Sequence, residues 1–202
     1  VGLCITGILF VFVAPIIFVK SPGPIFFTQV RVGRNGRKFK LYKFRSMYID
    51  AEERKKELMA QNRVKDGMMF KLDFDPRIIG SKMLPDGTVK KGLGNIIRDF
   101  SLDEFPQFWN VLKGEMSIVG PRPERRYFID QIEQQAPYYC VIYKVRPGLT
   151  SWGPIKVGYT DTLEKMIRRL NFDVVYLENM SLMLDVKIMF HTIGVLLNGK
   201  GR

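Results

Sequence analysis

The chain has 202 residues, 32 Lys and Arg against 20 Asp and Glu, and a formal net charge of +12. That length allows one sizeable core, and that charge points to polyanionic partners: nucleic acid, anionic lipid headgroups or phosphorylated small molecules. Two cysteines, Cys4 and Cys140, exclude a disulfide framework or a Cys-rich zinc site, and the single histidine, His191, lies in an apolar-periodic stretch that suits packing better than Ser-His or Cys-His catalysis.

Val1 to Val19 carries no charge, and the chain opens inside this apolar run as a fragment would. As a helix it would be about 28 Å long, close to the ~30 Å of a bilayer core. Its thirteen Val, Ile, Leu and Phe residues, at roughly −0.4 kcal/mol each, favour insertion by about 5 kcal/mol, less the cost of Gly2, Gly7 and Pro15. Pro15 removes a backbone hydrogen bond and predicts a kink, in either a spanning helix or a re-entrant one that leaves by the face it entered. No small-residue cleavage site precedes Lys20-Ser21-Pro22.

Ile25 to Val32 and Lys38 to Met47 are β-branched and aromatic runs around Asn35-Gly36, which predicts a β-hairpin. Arg31, Arg34, Arg37, Lys38, Lys40, Lys43 and Arg45 alternate there with Phe26, Phe27, Phe39, Tyr42 and Phe44. Such a ribbon suits an anionic membrane surface, or single-stranded nucleic acid; adjacency to the apolar run favours lipid and places this side in the cytosol. Asp50 to Val64 reads as a solvated helix capped by Asp50. Phe70 to Asn95 is irregular, a loop or small hairpin around Pro85-Asp86-Gly87.

Ser101 followed by Glu104, ahead of Phe105, Phe108, Trp109 and Leu112, has the form of a capping box opening a helix that runs to Lys113-Gly114. Asp103 and Glu104 would occupy its first turn, where backbone N–H groups and the helix dipole stabilise anions. Read alone, such a box only caps a helix. Gly120-Pro121-Arg122-Pro123 cannot be helix interior, so Arg122 is held in an extended segment suited either to aiming a guanidinium at phosphate or to linking two elements. Glu124 to Gln134 and Tyr138 to Lys144 predict short helices, Arg146-Pro147-Gly148 a turn, and Thr162 to Asn179 and Ser181 to Leu197 longer helices, the last closed by Asn198-Gly199.

The ordered blocks Ser21-Pro22-Gly23-Pro24-Ile25-Phe26-Phe27, Arg31-Val32-Gly33, Tyr42-Lys43-Phe44-Arg45-Ser46-Met47, Ser101-Leu102-Asp103-Glu104, Asn110-Val111-Leu112-Lys113-Gly114, Ser117-Ile118-Val119-Gly120-Pro121-Arg122-Pro123 and Arg146-Pro147-Gly148-Leu149-Thr150 span nearly the whole chain. In this order they resemble the bacterial sugar transferases, the monotopic phosphoglycosyl transferases that start capsule, exopolysaccharide, O-antigen and glycan assembly. The chain looks most like the catalytic portion of the larger members.

The resemblance implies transfer of a sugar-1-phosphate from a UDP-sugar to undecaprenyl phosphate, with release of UMP. It implies Asp103 as the nucleophile, through a phosphosugar-aspartyl intermediate, Glu104 as its partner carboxylate, and Mg²⁺ bound at Asp103. Arg98, Pro121, Arg122 and Pro123 would contact substrate, with Lys43, Arg45 and Arg146 as further substrate-binding residues. It implies an α+β, membrane-associated fold: a re-entrant helix over residues 1–20, then a cytosolic-face catalytic domain over 21–202 with a small β-hairpin or sheet and several interfacial amphipathic helices. The place would be the bacterial inner membrane; the partners would be membrane lipids and both substrates, with no nucleic acid, and upstream or inserted elements leave room for a homo-oligomer. Two departures stand out: Ala14 replaces the Ser that many members have before the proline, and the stretch between Asp75 and Arg98 is longer. The competing expectation is a membrane-bound polyanion-binding scaffold without catalysis.

The physical chemistry of the resemblance is coherent. Asp103 needs no base, since a carboxylate is ionised at neutral pH. Repulsion from a diphosphate is the obstacle, about 4 kcal/mol per unit charge at ~4 Å and an effective dielectric of ~20, against the 0.3 to 1 kcal/mol of a helix dipole. Cations must supply the difference.

Overall fold

The computed structural model describes residues 1–62, 70, 72–158 and 160–197. Helix α1 (Gly2–Lys20) is continuous through Pro15 and is long and apolar enough to cross a membrane. The expected kink therefore does not interrupt the helix. Leu9, Val13 and Ile17, four residues apart, form a stripe that packs on Phe44, Ile79 and Ile97, while Val11, Phe12, Phe18 and Val19 are left exposed. The N-terminal end is also docked: Thr6 Oγ1 donates to the Phe105 carbonyl at 3.1 Å, and Gly2 lies so close to Phe108 that a Cβ would fall 2.3 Å from the ring.

Strands β1 (Phe26–Val32) and β2 (Lys38–Phe44) form the expected antiparallel hairpin, in register from Phe26 opposite Phe44 to Val32 opposite Lys38. Asn35 and Gly36 turn it with φ of 56° and 71°, the left-handed region these two residue types tolerate. Strand periodicity places Phe39, Leu41 and Lys43 on one face. Phe39 and Leu41 pack there on Met116 and Val111, so Lys43 points the same way, while Phe44 turns back toward α1. The expectation of a ribbon whose cations all meet lipid phosphates is corrected for Arg31, Lys43 and Arg45, each of which is engaged inside the protein.

Helix α2 (Ala51–Glu57) ends before a 3-10 turn at Met59–Gln61, and the remaining part of the expected helix, residues 63 and 64, lies outside the described residues. Asp50 does not cap it, because its carboxylate is taken by Arg54 at 2.7 Å. The irregular stretch contains a small hairpin, β3 (Lys82–Met83) and β4 (Val89–Lys90), around the predicted Pro-Asp-Gly turn. Its neck closes where Gly80, at φ 76°, meets Gly92, whose absent Cβ would lie 2.1 Å from the Gly80 carbonyl carbon. Helix α3 (Leu93–Asp99) starts there, with Asn95 Oδ1 accepting the Gly92 N–H at 2.9 Å.

The capping box at Ser101 does not form. Ser101 is left-handed, with φ 51° and no side-chain cap bond, Leu102–Glu104 is a single 3-10 turn, and helix α4 (Gln107–Leu112) begins only after Pro106. The cause is Pro106, which has no N–H to donate to Leu102 and so cannot lie inside a helix begun at Ser101.

Strand β5 (Ser117–Val119) pairs in parallel with β6 (Gly148–Thr150), an unanticipated strand that starts at the last residue of the expected Arg146-Pro147-Gly148 turn. Helix α5 (Arg126–Gln135) and the 3-10 segment Pro137–Lys144 follow the predicted pattern. Helix α6 (Trp152–Val157) was not anticipated, whereas α7 (Leu163–Glu178) and α8 (Leu182–Leu197) were; the Asn198-Gly199 stop lies outside the described residues. A second core joins Val32, Ile129, Ile132, Tyr139, Met166 and Leu170, and Ile188 of α8 packs with Val119 and Tyr176.

Asn110, fully buried on α4, fastens that helix to β2. It accepts the Tyr42 N–H at 3.2 Å and donates to the Lys40 carbonyl and to Glu115, both at 2.7 Å. Asn110→Ala strands a buried donor and acceptor and should cost about 2 to 4 kcal/mol, lowering the thermal midpoint by roughly 4 to 16 °C in differential scanning fluorimetry. An unchanged midpoint would refute this role.

Candidate active site

Asp103 is 4% exposed, at the centre of the 3-10 turn. Lys43, aimed by the strand face described above, places Nζ 2.7 Å from Glu104 Oε1 and 3.4 Å from Asp103 Oδ2. One ammonium thus bridges both carboxylates. Arg122 Nη2 reaches the same Glu104 Oε1 at 3.3 Å. Arg98, at the end of α3, adds positive charge that acts on Asp103.

These neighbours divide the pair. Burial raises the Asp103 pKa above its ordinary value; Lys43 opposes this, adjacent Glu104 adds to it, and Arg98 opposes it again. Burial also pushes Glu104 up, but Lys43 and Arg122 outweigh it and hold Glu104 at about 2. Attraction to Glu104 raises Arg122 in turn. Glu104 is the firmly ionised partner, and Asp103 is the desolvated one, whose charged form an added cation would favour.

Main-chain contacts hold the Pro-Arg-Pro segment extended. The Gly148 N–H donates to the Pro121 carbonyl at 2.9 Å, the Val32 N–H to the Glu124 carbonyl at 3.1 Å, and Arg31 Nη1 to the Pro123 carbonyl at 3.1 Å. Pro121 and Pro123 are buried, and Arg122 between them reaches outward.

Of the residues expected at the site, the structure brings together Asp103, Glu104, Lys43, Arg98 and Arg122, framed by Pro121 and Pro123. It places Arg45 elsewhere: buried, with Nη1 donating to Ser21 Oγ at 2.7 Å and Nη2 to the Ser21 carbonyl at the end of α1. Alternation alone would keep Arg45 on the face of Lys43, but β2 ends at Phe44, and beyond it the Arg45 side chain turns to Ser21 at the end of α1. Arg146 is exposed beside Gly114. Sequence reasoning missed the roles of Asn110, Arg31, Glu124, Arg169 and Asp173; only Asn110 and Arg31 lay in quoted motifs.

Among the described residues, no three His, Cys, Asp or Glu side chains converge as a ready metal cage. The donors that remain, Asp103 and Glu104, suit magnesium, which commonly completes one or two carboxylates with water and substrate phosphate.

The family model for bacterial sugar transferases matches residues 1–199. The chain belongs to that family. Among similar curated proteins is the UDP-N-acetylgalactosamine-undecaprenyl-phosphate N-acetylgalactosaminephosphotransferase of Aeromonas hydrophila, 39% identical over 188 residues, 93% of this chain and 39% of the relative. The UDP-glucose:undecaprenyl-phosphate glucose-1-phosphate transferase of Escherichia coli K12 is 40% identical over 177 residues, 87% of this chain and 33% of the relative. The undecaprenyl-phosphate galactose phosphotransferase of Salmonella typhimurium is 39% identical over 189 residues, 90% of this chain and 35% of the relative. The chain therefore spans little more than a third of the length of these relatives. Within the bacterial sugar transferase domain it represents, the cation-bridged carboxylate pair is the feature with chemical potential.

Since Lys43 holds the Asp103 pKa down against burial, Lys43→Met should move it further up, and Glu104 up from about 2. Carboxyl ¹³C NMR titration reads both shifts. Unchanged titration of the two carboxyls would show that Lys43 does not hold the pair.

Proposed function

We propose that this chain is the catalytic portion of a phosphoglycosyl transferase that moves a sugar-1-phosphate from a UDP-sugar to undecaprenyl phosphate, releasing UMP. The observation that carries the reading is the buried Asp103 beside Glu104, bridged by Lys43 and flanked by Arg122, in a chain matched by the family over 1–199.

Asp103 supplies a carboxylate oxygen that bonds to the phosphorus next to the sugar. The bond from that phosphorus to the bridging oxygen breaks, and UMP leaves with the electron pair. An oxygen of undecaprenyl phosphate then attacks the phosphosugar-aspartyl phosphorus and frees the Asp103 carboxylate. Charge balances in both steps without a proton transfer. Lys43 keeps the pair ionised, Arg122 and Arg98 offset the phosphate charge, and Glu104 fixes Lys43 and Arg122 by attraction. Magnesium held by Asp103 and Glu104 would add charge neutralisation on the diphosphate.

The acceptor's isoprenoid tail requires a site at the membrane surface, and we place it on the cytosolic face of the bacterial inner membrane. Support comes from α1, whose apolar face is largely unpacked, and from the open apolar groove of about 350 Å³ lined by Phe10, Val11, Ala14, Pro15, Phe18 and Ile25. Both ends of α1 touch the catalytic domain, Gly2 and Thr6 at Phe108 and Phe105, Ile17 at Phe44 and Ile79. A helix crossing to the far leaflet would carry one end away from that domain. A re-entrant or in-plane placement fits better, despite Ala14 before Pro15. The relatives carry N-acetylgalactosamine, glucose and galactose in their names at nearly equal identity, so the sugar is not assigned.

Asp103→Asn should lower UMP release by about 10³-fold or more, the loss expected when a nucleophile is removed; turnover close to wild type would exclude Asp103 as nucleophile. Chelation should abolish release and magnesium restore it, whereas chelator-resistant turnover would exclude the metal. Because the attacking form of Asp103 is ionised and its pKa is raised, kcat/KM should fall with decreasing pH along a limb above the ordinary carboxylate range. Cysteines introduced at Val1 and Lys20 should react with an impermeant reagent from one membrane face; reaction from opposite faces would establish a spanning helix.

A further inference from the structure

The β1–β2 hairpin carries two cations on one face. Arg31 lies opposite Phe39 in the register, and opposed residues share a face, so Arg31 points the same way as Phe39, Leu41 and Lys43, with Lys43 about 13 Å further along the strand. Lys43 ends on the carboxylate pair. Arg31 ends on the Pro-Arg-Pro segment, where its Nη1 donates to the Pro123 carbonyl at 3.1 Å and meets Glu124 Oε2 at 3.5 Å. The Val32 N–H donates to the Glu124 carbonyl at 3.1 Å, so two successive hairpin residues fasten two successive residues of the segment. Behind them, Arg169 of α7 donates to Glu124 Oε1, and to Thr160 Oγ1 at 2.9 Å. Helix α7 is itself seated by Asp173, which accepts the Ser151 hydroxyl at 2.5 Å and the Gly153 N–H at 2.9 Å at the start of α6.

Because Lys43 Nζ and Arg122 Nη2 meet the same Glu104 Oε1, these contacts close a ring that runs from Lys43 through Glu104, Arg122, Pro123 and Arg31 and back along the hairpin. We propose that Arg31 is a positioning residue for the transfer reaction: kept in place by Glu124, it pins the Pro123 carbonyl and thereby sets the point from which Arg122 reaches Glu104 and the donor phosphate. A planar guanidinium holds a carbonyl and a carboxylate together from fixed directions, which a flexible ammonium does not. Packing alone does not call for an arginine here. The Arg31 side chain is 17% exposed and its Nε is buried with no hydrogen-bond partner among the described residues, a cost that an apolar side chain opposite Phe39 would not carry. Burial lowers the Arg31 pKa to about 10; Glu124 opposes this, and Arg122 adds to it. Glu124 thus also offsets the repulsion between Arg31 and Arg122.

The inference rests on the reading that Arg122 meets the donor phosphate, so its test uses UDP binding as well as turnover. UDP affinity by calorimetry, and KM and kcat for UMP release, are measured on the full chain with magnesium for wild type, Arg31→Lys, Glu124→Gln, Arg122→Ala and the double variants that combine each of the first two with Arg122→Ala. Arg31→Lys keeps the charge but loses the fork, so it should weaken UDP binding and raise KM about 5-fold with a smaller change in kcat. Glu124→Gln separates positioning from simple electrostatics by sign. Removing a negative charge would by itself tighten binding of an anion, whereas loss of the hold on Arg31 should weaken UDP binding, by about 3-fold. In the Arg122→Ala background each substitution should cost less than about 2-fold in UDP affinity. An equal loss in both backgrounds, no loss in Arg31→Lys, or tighter binding in Glu124→Gln overturns the proposal. If Glu124→Gln does not fold, the Arg31→Lys cycle decides by itself. Wild-type protein that binds UDP without releasing UMP defeats the transferase reading alone; wild-type protein that does not bind UDP defeats both.

Discussion

Two adjacent carboxylates sharing one ammonium is the arrangement on which this structure turns. Unit charges of like sign at ~4 Å repel by about 4 kcal/mol at an effective dielectric of ~20, and burial raises that figure. Lys43 returns attraction of the same order to each carboxylate, at 2.7 Å from Glu104 and 3.4 Å from Asp103. The effect is uneven, because Glu104 has a second cation in Arg122 and Asp103 is the more deeply buried. One carboxylate is left firmly ionised and the other desolvated, which is the separation of roles a nucleophile and a charged partner require.

Much of the fold serves to hold those two cations and two anions in register. Lys43 is aimed by the alternation of β2, whose neighbouring residues Phe39 and Leu41 are packed against Met116. Asn110 locks α4 to the same strand, and Pro106 ends the turn that carries the dyad. Arg122 comes from a segment that the Gly148 and Val32 main-chain N–H groups keep extended. Arg45, bound to Ser21, ties the hairpin to the end of α1, so the apolar helix and the dyad are linked through one short strand.

Features governed by local chemistry were legible in the sequence. The hairpin turn followed from Asn35-Gly36, the extended Arg122 from its flanking prolines, and α7 and α8 from apolar spacing. Motif order brought Asp103, Glu104, Lys43, Arg98 and Arg122 into one site before any coordinates. What failed depended on long-range partners or on a competing residue. Ser101 looked like a cap because Ser and Glu have the right spacing, but Pro106 decides where the helix can begin. Arg45 looked like Lys43's companion, yet β2 ends at Phe44 and Arg45 turns to Ser21 at the end of α1. The parallel pairing of β5 with β6, nearly thirty residues apart, leaves no local signal. Asp173 and its donors Ser151 and Gly153, 22 and 20 residues away, could only be connected in three dimensions.

The central claim is that Asp103 is the atom source of a covalent intermediate, and trapping it is the most direct test. Incubation with a UDP-sugar and magnesium but no polyprenol phosphate, followed by acid quench and peptide mass mapping, should find one sugar-phosphate added to the peptide containing Asp103. Addition of undecaprenyl phosphate before the quench should remove it. An adduct on another residue, or UMP formed only when both substrates are present and without any adduct, would contradict the account.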